Sequence, residues 1–246
     1  AAGGSCSIEV EYAPGAVNPA YNDTISFAYN DGVNPQTTTR DVTGVAVTPA
    51  SISITESGTY DMGTVAVGGN TTHIFTLTNG GGFTASAINE TGLGLPFQFL
   101  DGSFPGTGGN CTASLAPASG CTVVLEFAPS TTGIQPDTIN FQYNNGATVV
   151  NSQRDVQGTG SAAATLTISE TDPYDYGPVT VNGFRLQTFT ITNTGGVSAT
   201  SVGGSGLVAP FSFNGGSFPG TGGTCGATVA SAATCTVVVR YAPTSA

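Results

Sequence analysis

The sequence predicts an all-β chain of tandem seven-stranded immunoglobulin-like β-sandwiches with a repeat of 114 residues. Three observations carry that expectation. Apolar and hydroxyl residues alternate along short runs, as where Ile52 and Ile54 are set between Ser51, Ser53 and Thr55, which is the period of a half-buried strand. Turn formers separate the runs: Gly68-Gly69-Asn70, Asn79 to Gly82, Pro129 to Gly133 and Asn144-Asn145-Gly146. The third is internal self-similarity. Tyr60-Asp61-Met62-Gly63 recurs as Tyr174-Asp175-Tyr176-Gly177, Phe75-Thr-Leu77-Thr-Asn79 as Phe189-Thr-Ile191-Thr-Asn193, and Gly102 to Gly109 letter for letter as Gly216 to Gly223, always 114 residues on.

The N-terminus fits the same frame. Cys6 to Pro14 matches Cys121 to Pro129 at an offset of 115, while Asp23-Thr-Ile-Ser-Phe27 matches Asp137 to Phe141 and Arg40-Asp41-Val42 matches Arg154 to Val156 at 114. Residues 1–48 therefore read as the C-terminal strands of an incomplete repeat, 49–162 as a complete repeat, and 163–246 as the N-terminal part of a further repeat lacking its last strands. Within the complete repeat, strands are expected near 51–56, 72–79, 83–89, 96–100, 121–127, 138–143 and 149–157. Along the fifth, Val124 and Glu126 face away from Val123, Leu125 and Phe127. No window reads as a helix. About seven short strands in roughly a hundred residues is the pattern of an immunoglobulin-like sandwich.

The succession Phe75-Thr-Leu-Thr-Asn79-Gly80, Leu95-Pro96-Phe97, Glu126-Phe-Ala-Pro129 with Thr132-Gly133, and Asp155-Val-Gln-Gly158-Thr-Gly160 resembles the hydin/abnormal-spindle (ASH) type of immunoglobulin-like domain, whose bacterial members include repeats of choice-of-anchor D surface proteins. The resemblance implies a sandwich used in tandem as a stalk or interaction module, with no catalytic residues to carry over. Paired cysteines set the chain apart from the intracellular eukaryotic branch.

Cys111 and Cys121 lie ten residues apart around a Gly/Pro/Ser-rich loop, and Cys225 and Cys235 repeat the arrangement. Free thiols and a metal site are the alternatives to disulfides. A metal needs four ligands, however, and each repeat offers two cysteines, with His73 replaced by Gln187. Two disulfides imply an oxidising compartment, extracellular or on the cell surface. Cys6 is unpaired in this chain, since its counterpart partner falls four places before residue 1. With no charged leader and Met62 as its only methionine, the chain reads as mature or excised.

Few other residues qualify as a site. His73 shares parity with Phe75 and Leu77, and Gln187 at the matching position argues that imidazole chemistry is not needed there. The Gly-rich loops 102–109 and 216–223 lack the lysine and helix of a phosphate cradle and read as flexible turns. The recurring carboxylates Glu56/Glu170, Asp61/Asp175, Asp23/Asp137 and Asp41/Asp155 form no calcium-hand loop. They read as solvated strand ends with an Arg154–Asp155 surface pair; calcium at Glu56 and Asp61 is the alternative. Sequons at Asn22, Asn70, Asn89 and Asn110 permit glycosylation. No catalytic, cofactor-binding or metal residue is expected, and no cofactor.

Composition narrows the partners. The 39% of hydrophobic residues is enough for real cores, yet only 8% are charged, against about 25% in an ordinary domain. There is no lysine, and four arginines face fifteen carboxylates for a net charge of −11. Such a surface repels nucleic acid and anionic membranes, and no run approaches the roughly 18 apolar residues of a membrane span. The expected function is a structural subunit or segment of an extracellular bacterial fibre. Its repeats associate head to tail as a homopolymer, residues 15–47 of one copy completing 163–246 of the next, or continue as covalent neighbours. An adhesion module gripping a glycan or protein is the alternative, and an enzyme is not expected.

Overall fold

The computed structural model describes residues 3–245. It is all-β, with a single 3-10 turn at Leu100–Gly102. Strands β1 (Asn18–Asn30) and β2 (Pro35–Ala46) form an antiparallel hairpin near the N-terminus. The centre of the chain supplies β3 (Ile52–Ile54), β4 (Tyr60–Ala66), β5 (Thr71–Asn79), β6 (Ala85–Glu90), β7 (Phe97–Phe99), β8 (Ser114–Leu115), β9 (Gly120–Phe127), β10 (Gly133–Asn144) and β11 (Val149–Ser161). The remainder holds β12 (Leu166–Ile168), β13 (Arg185–Asn193), β14 (Ala199–Thr200), β15 (Phe211–Phe213), β16 (Thr228–Val229) and β17 (Thr234–Tyr241).

The central strands form two sheets, ordered β3-β5-β9-β7 and β4-β11-β10-β6-β8. Their inward residues share one core. Phe75, Leu77, Phe97, Val123, Leu125 and Phe127 come from the first sheet, and Ile88, Ile139, Phe141, Tyr143 and Val156 from the second. Alternation along β5 and β10 puts every second side chain there, as the period of a strand requires. The centre thus has nine strands where seven are expected. The additions are the two-residue β8 and the edge strand β4, which pairs parallel to β11 (Val156↔Tyr60, Gly160↔Val65).

One further expectation gives way to tertiary packing. Val124 and Glu126 face out from the inter-sheet core yet are buried. The loop 102–109 folds over the outer face of β9: Val124 N–H donates to Pro105 O at 2.8 Å, and Asn110 N–H to Thr122 O at 3.0 Å. That loop is therefore packed and not a flexible turn. A Cβ on Gly109 would stand 2.7 Å from Pro105 O and 2.9 Å from Thr122 O, so glycine is what lets it lie flat. Glu126 is capped by Asn70 Nδ2 and by Gln98 Nε2, the latter at 2.7 Å.

Strong local order comes from a buried asparagine ending β5. Asn79 Oδ1 accepts from Ser51 and Gly81 N–H (3.0 Å each), and its Nδ2 donates to Phe83 O (2.8 Å) and Leu115 O (3.0 Å). All four hydrogen bonds of the amide are made. Asn193 repeats the set with Thr165, Gly195, Val197 and Val229.

Candidate functional site

The C-terminal strands make one four-stranded sheet, β12-β13-β17-β15, and a separate two-stranded ribbon, β14-β16. Positions 114 residues after the central core face an opening here. Ile52 and Ile54 are 6% exposed, whereas Leu166 and Ile168 are 40% and 66% exposed. Phe75 is fully buried, but Phe189 only half-buried. Leu166, Ile168, Phe189, Phe213, Val237 and Val239 line an apolar groove of about 420 Å³.

The backbone around the groove is unpaired in a corresponding way. In the centre, Tyr60–Ala66 is a strand because β11 lies beside it, and β6 runs for six residues because β10 does. Residues 174–180 have no strand partner and adopt no strand, and β14 is cut to two residues. An edge left without its neighbour keeps its N–H and C=O groups free.

The hairpin β1–β2 is the converse, a strand pair with no sheet. Its register matches β10–β11: Ile25↔Arg40, Thr24↔Asp41 and Phe27↔Thr38 stand where the centre has Ile139↔Arg154, Thr138↔Asp155 and Phe141↔Ser152. The cross-strand bond from Thr24 Oγ1 to Asp41 (2.7 Å) reappears from Thr138 Oγ1 to Asp155 (2.8 Å). Phe141 and Tyr143 are buried, but Phe27 and Tyr29 are 44% and 54% exposed. A preformed hairpin thus presents an apolar face to solvent.

The other candidate residues are placed as follows. Cys111 and Cys121 form a disulfide with Cα atoms 4.9 Å apart, and Cys225 and Cys235 another at 4.8 Å. Each closes the loop that leads into β9 or β17, a constraint worth about 2.5–3 kcal/mol on the chain-entropy account. Such bonds mark a secreted or extracellular setting. Cys6 is an exposed free thiol. His73 stacks on Tyr60 (centroids 3.9 Å) and its Nδ1 shares a 2.7 Å hydrogen bond with Tyr60 Oη, while Nε2 lies 3.5 Å from Glu56. In the counterpart, Tyr174 Oη donates to Gln187 Oε1 at 2.9 Å. Burial raises the Tyr60 pKa, and the charges of Glu56 and Asp61 add to the rise.

The expected Arg154–Asp155 pair does not form. Neighbours on a strand point to opposite faces, so Arg154 reaches across to Ile54 O (2.8 Å) and Gly58 O (2.9 Å) while Asp155 accepts from Thr138. Asp61 and Asp175 each cap a turn by accepting from Gly63 and Gly177 N–H. Among the described residues, no three His, Cys, Asp or Glu side chains gather as a metal site. No described helix is long and apolar enough to cross a membrane.

No protein-family model matches the chain, and no curated protein matches it. Among solved structures it is similar to ASH/PapD-like domain 7 of human CEP192, with 14% identity over 48% of this chain and 88% of that domain at a TM-score of 0.35. It is also similar to two Vibrio cholerae proteins. One is the VesB protease (16% identity, 45% of this chain, 32% of that one, TM-score 0.36), and the other is the secreted serine protease VesC (14% identity, 80% of this chain, 47% of that one, TM-score 0.32). The chain spans about a third of the length of VesB and about half that of VesC. These likenesses correct one expectation. The exclusion of an enzyme is withdrawn, because proteases are among the structures this chain is similar to, and a fold does not decide function. Likenesses this distant assign no catalytic residue to the chain.

Proposed function

We propose that the chain is a structural subunit or segment of an extracellular surface fibre. Its units are ASH-type immunoglobulin-like repeats of 114 residues, as in bacterial choice-of-anchor D proteins, stacked and joined through strands supplied by a neighbour. One observation carries the reading. The same molecule holds an open apolar groove at one end and, at the other, a bare hairpin whose sequence and register match the strands that fill the equivalent groove at its centre. Contacts of this head-to-tail type generate open filaments wherever the rotation between copies does not close a ring. The two disulfides suit a fibre outside the cell. Light scattering and electron microscopy of purified residues 1–246 test it. Concentration-dependent linear oligomers are expected, and a chain that stays monomeric up to high micromolar concentration overturns the reading.

A further inference from the structure

Resting on that reading, we propose the partner and the register: the β1–β2 hairpin of a second copy closes the groove, and Tyr241 of the receiving copy takes over the place of Tyr12 against Gly44 of the incoming one. The centre of the chain is the template. There β10–β11 fills the core with Ile139, Phe141, Tyr143 and Val156. The hairpin carries the same four residues at the same register, as Ile25, Phe27, Tyr29 and Val42. The polar contacts have counterparts as well. Tyr143 Oη accepts from Ile52 N–H at 3.0 Å, and Arg154 caps Ile54 O and Gly58 O. In the joint, Tyr29 accepts from Leu166 N–H and Arg40 caps Ile168 O and Asp172 O. Asn145 O accepts from Ala50 N–H at 2.9 Å, which places Asp31 O on Ala164 N–H. Strand β2 lies parallel to residues 174–180 as β11 lies parallel to β4, with Val42 beside Tyr174 and Thr43 beside Asp175.

The exchange at Gly44 resolves an overlap. Residues 6–14 and 235–243 are both versions of the strand that a single sandwich needs once. In the centre, Phe127 stacks on Phe97 (4.8 Å) and lies against Gly158, where a Cβ would be 2.5 Å from its ring. Tyr241 already stacks on Phe211 at the same 4.8 Å, while its glycine is missing. The counterpart glycine, Gly44, is covered by Tyr12, whose ring would stand 2.6 Å from a Cβ there. The segment Cys6–Pro14 pairs with no strand and holds the hairpin through that aromatic contact and a 6.0 Å edge contact of Tyr12 with Tyr21. It therefore acts as a loose plug that β17 of the receiving copy displaces. Each interior copy then contributes one complete sandwich and a part of two composite ones, its hairpin to one and its C-terminal sheet to the other.

Disulfide trapping reads the register directly. Thr43→Cys and Asp175→Cys are made as separate chains on a Cys6→Ser background, at exposed positions, and each variant's melting temperature is compared with the parent's before mixing. Their counterparts Gln157 and Asp61 are strand partners joined by a 3.1 Å hydrogen bond, close enough for a disulfide. Mixed under a mild glutathione couple, the two chains should yield a covalent dimer at least about tenfold more abundant than either chain alone or a Thr39→Cys plus Asp175→Cys mixture, because docking raises the local thiol concentration. Oligomers in light scattering without selective cross-linking overturn this register and partner while leaving a fibre of some other joint standing. Absence of oligomers overturns both. Deletion of residues 1–14 should increase the fraction assembled at a given concentration; a decrease refutes the displaced plug.

Discussion

The central sandwich and the C-terminal sheet carry almost the same instructions and finish differently. Both contain the buried asparagine, the disulfide, the glycine loop over the outer face, and a tyrosine bonded to position 73 or 187. They part where a neighbour is present in one and missing in the other. Tyr60–Ala66 is a strand and 174–180 is not; β6 has six residues and β14 two. Pro178 in place of Thr64 and Gly203-Gly204 in place of Asn89-Glu90 weaken the C-terminal strands locally, and the missing neighbour adds to this, since strand formation depends on having something to pair with. What β10–β11 supplies to the centre is thus visible by subtraction: a strand partner for each of β4 and β6, four core side chains and the cap from Arg154.

The largest test of that contrast is a matched pair of truncations. Phe141→Ala empties a fully buried site and should cost about 3–5 kcal/mol in thermal or denaturant unfolding. Phe27→Ala, the same residue of the hairpin, should change the stability of the dispersed chain by less than about 1 kcal/mol while abolishing oligomers. Equal losses of stability from the two would mean that the hairpin is already covered within its own chain.

Asn79→Ala should cost about 3 kcal/mol, because two backbone N–H groups and two carbonyls lose their partner together. Asn193→Ala should cost a similar amount, since its amide makes the corresponding four bonds. A melt showing Asn193 to be dispensable would separate the two regions more deeply than their missing strands do.

His73→Gln should be neutral to within about 0.5 kcal/mol, since Gln187 already accepts the bond from Tyr174 that His73 shares with Tyr60. A larger drop in melting temperature would give the imidazole a role that the C-terminal counterpart lacks.

The smallest effect is one of pH. Burial raises the Glu90 pKa, with the Asp137 charge adding to it and backbone hydrogen bonds from Leu93 and Asn140 opposing it. The folded state therefore holds the proton more tightly than the unfolded chain. Its contribution is full below the ordinary value of 4.5 and is lost as pH rises through the raised folded value. Glu90→Gln should melt slightly higher than the parent at pH 7, with the gap closing below about pH 4. A gap that widens on acidification would reverse the sign.

Much of the fold was legible because alternation is a local signal. Phe75 and Leu77 between threonines, or Ile139, Phe141 and Tyr143 at every second place, declare a strand and its buried face. Strand β4 was not legible: Gly63, at φ 82°, interrupts its alternation, and its pairing partner lies almost a hundred residues away. The burial of Val124 depends on a loop folding back across it, and that of Glu126 on Asn70 and Gln98, which no period reports. Asn79 sits in an Asn-Gly-Gly-Gly run that reads as a turn; only its recurrence as Asn193 hints at the four bonds it makes. The two hairpins share a register, and the likeness of residues 23–42 to 137–156 was legible in the sequence. The contact of Tyr12 with Gly44 was not, because it joins a segment without strand pairing to the hairpin across thirty residues.

Amide hydrogen exchange at residues 174–180 tests most directly whether the groove is closed by a neighbour's hairpin. In the dispersed chain these amides should exchange far faster than those of Tyr60–Ala66, and on assembly they should slow toward them. Fast exchange that persists in assembled material, or slow exchange already present in the monomer, would contradict strand addition at this edge.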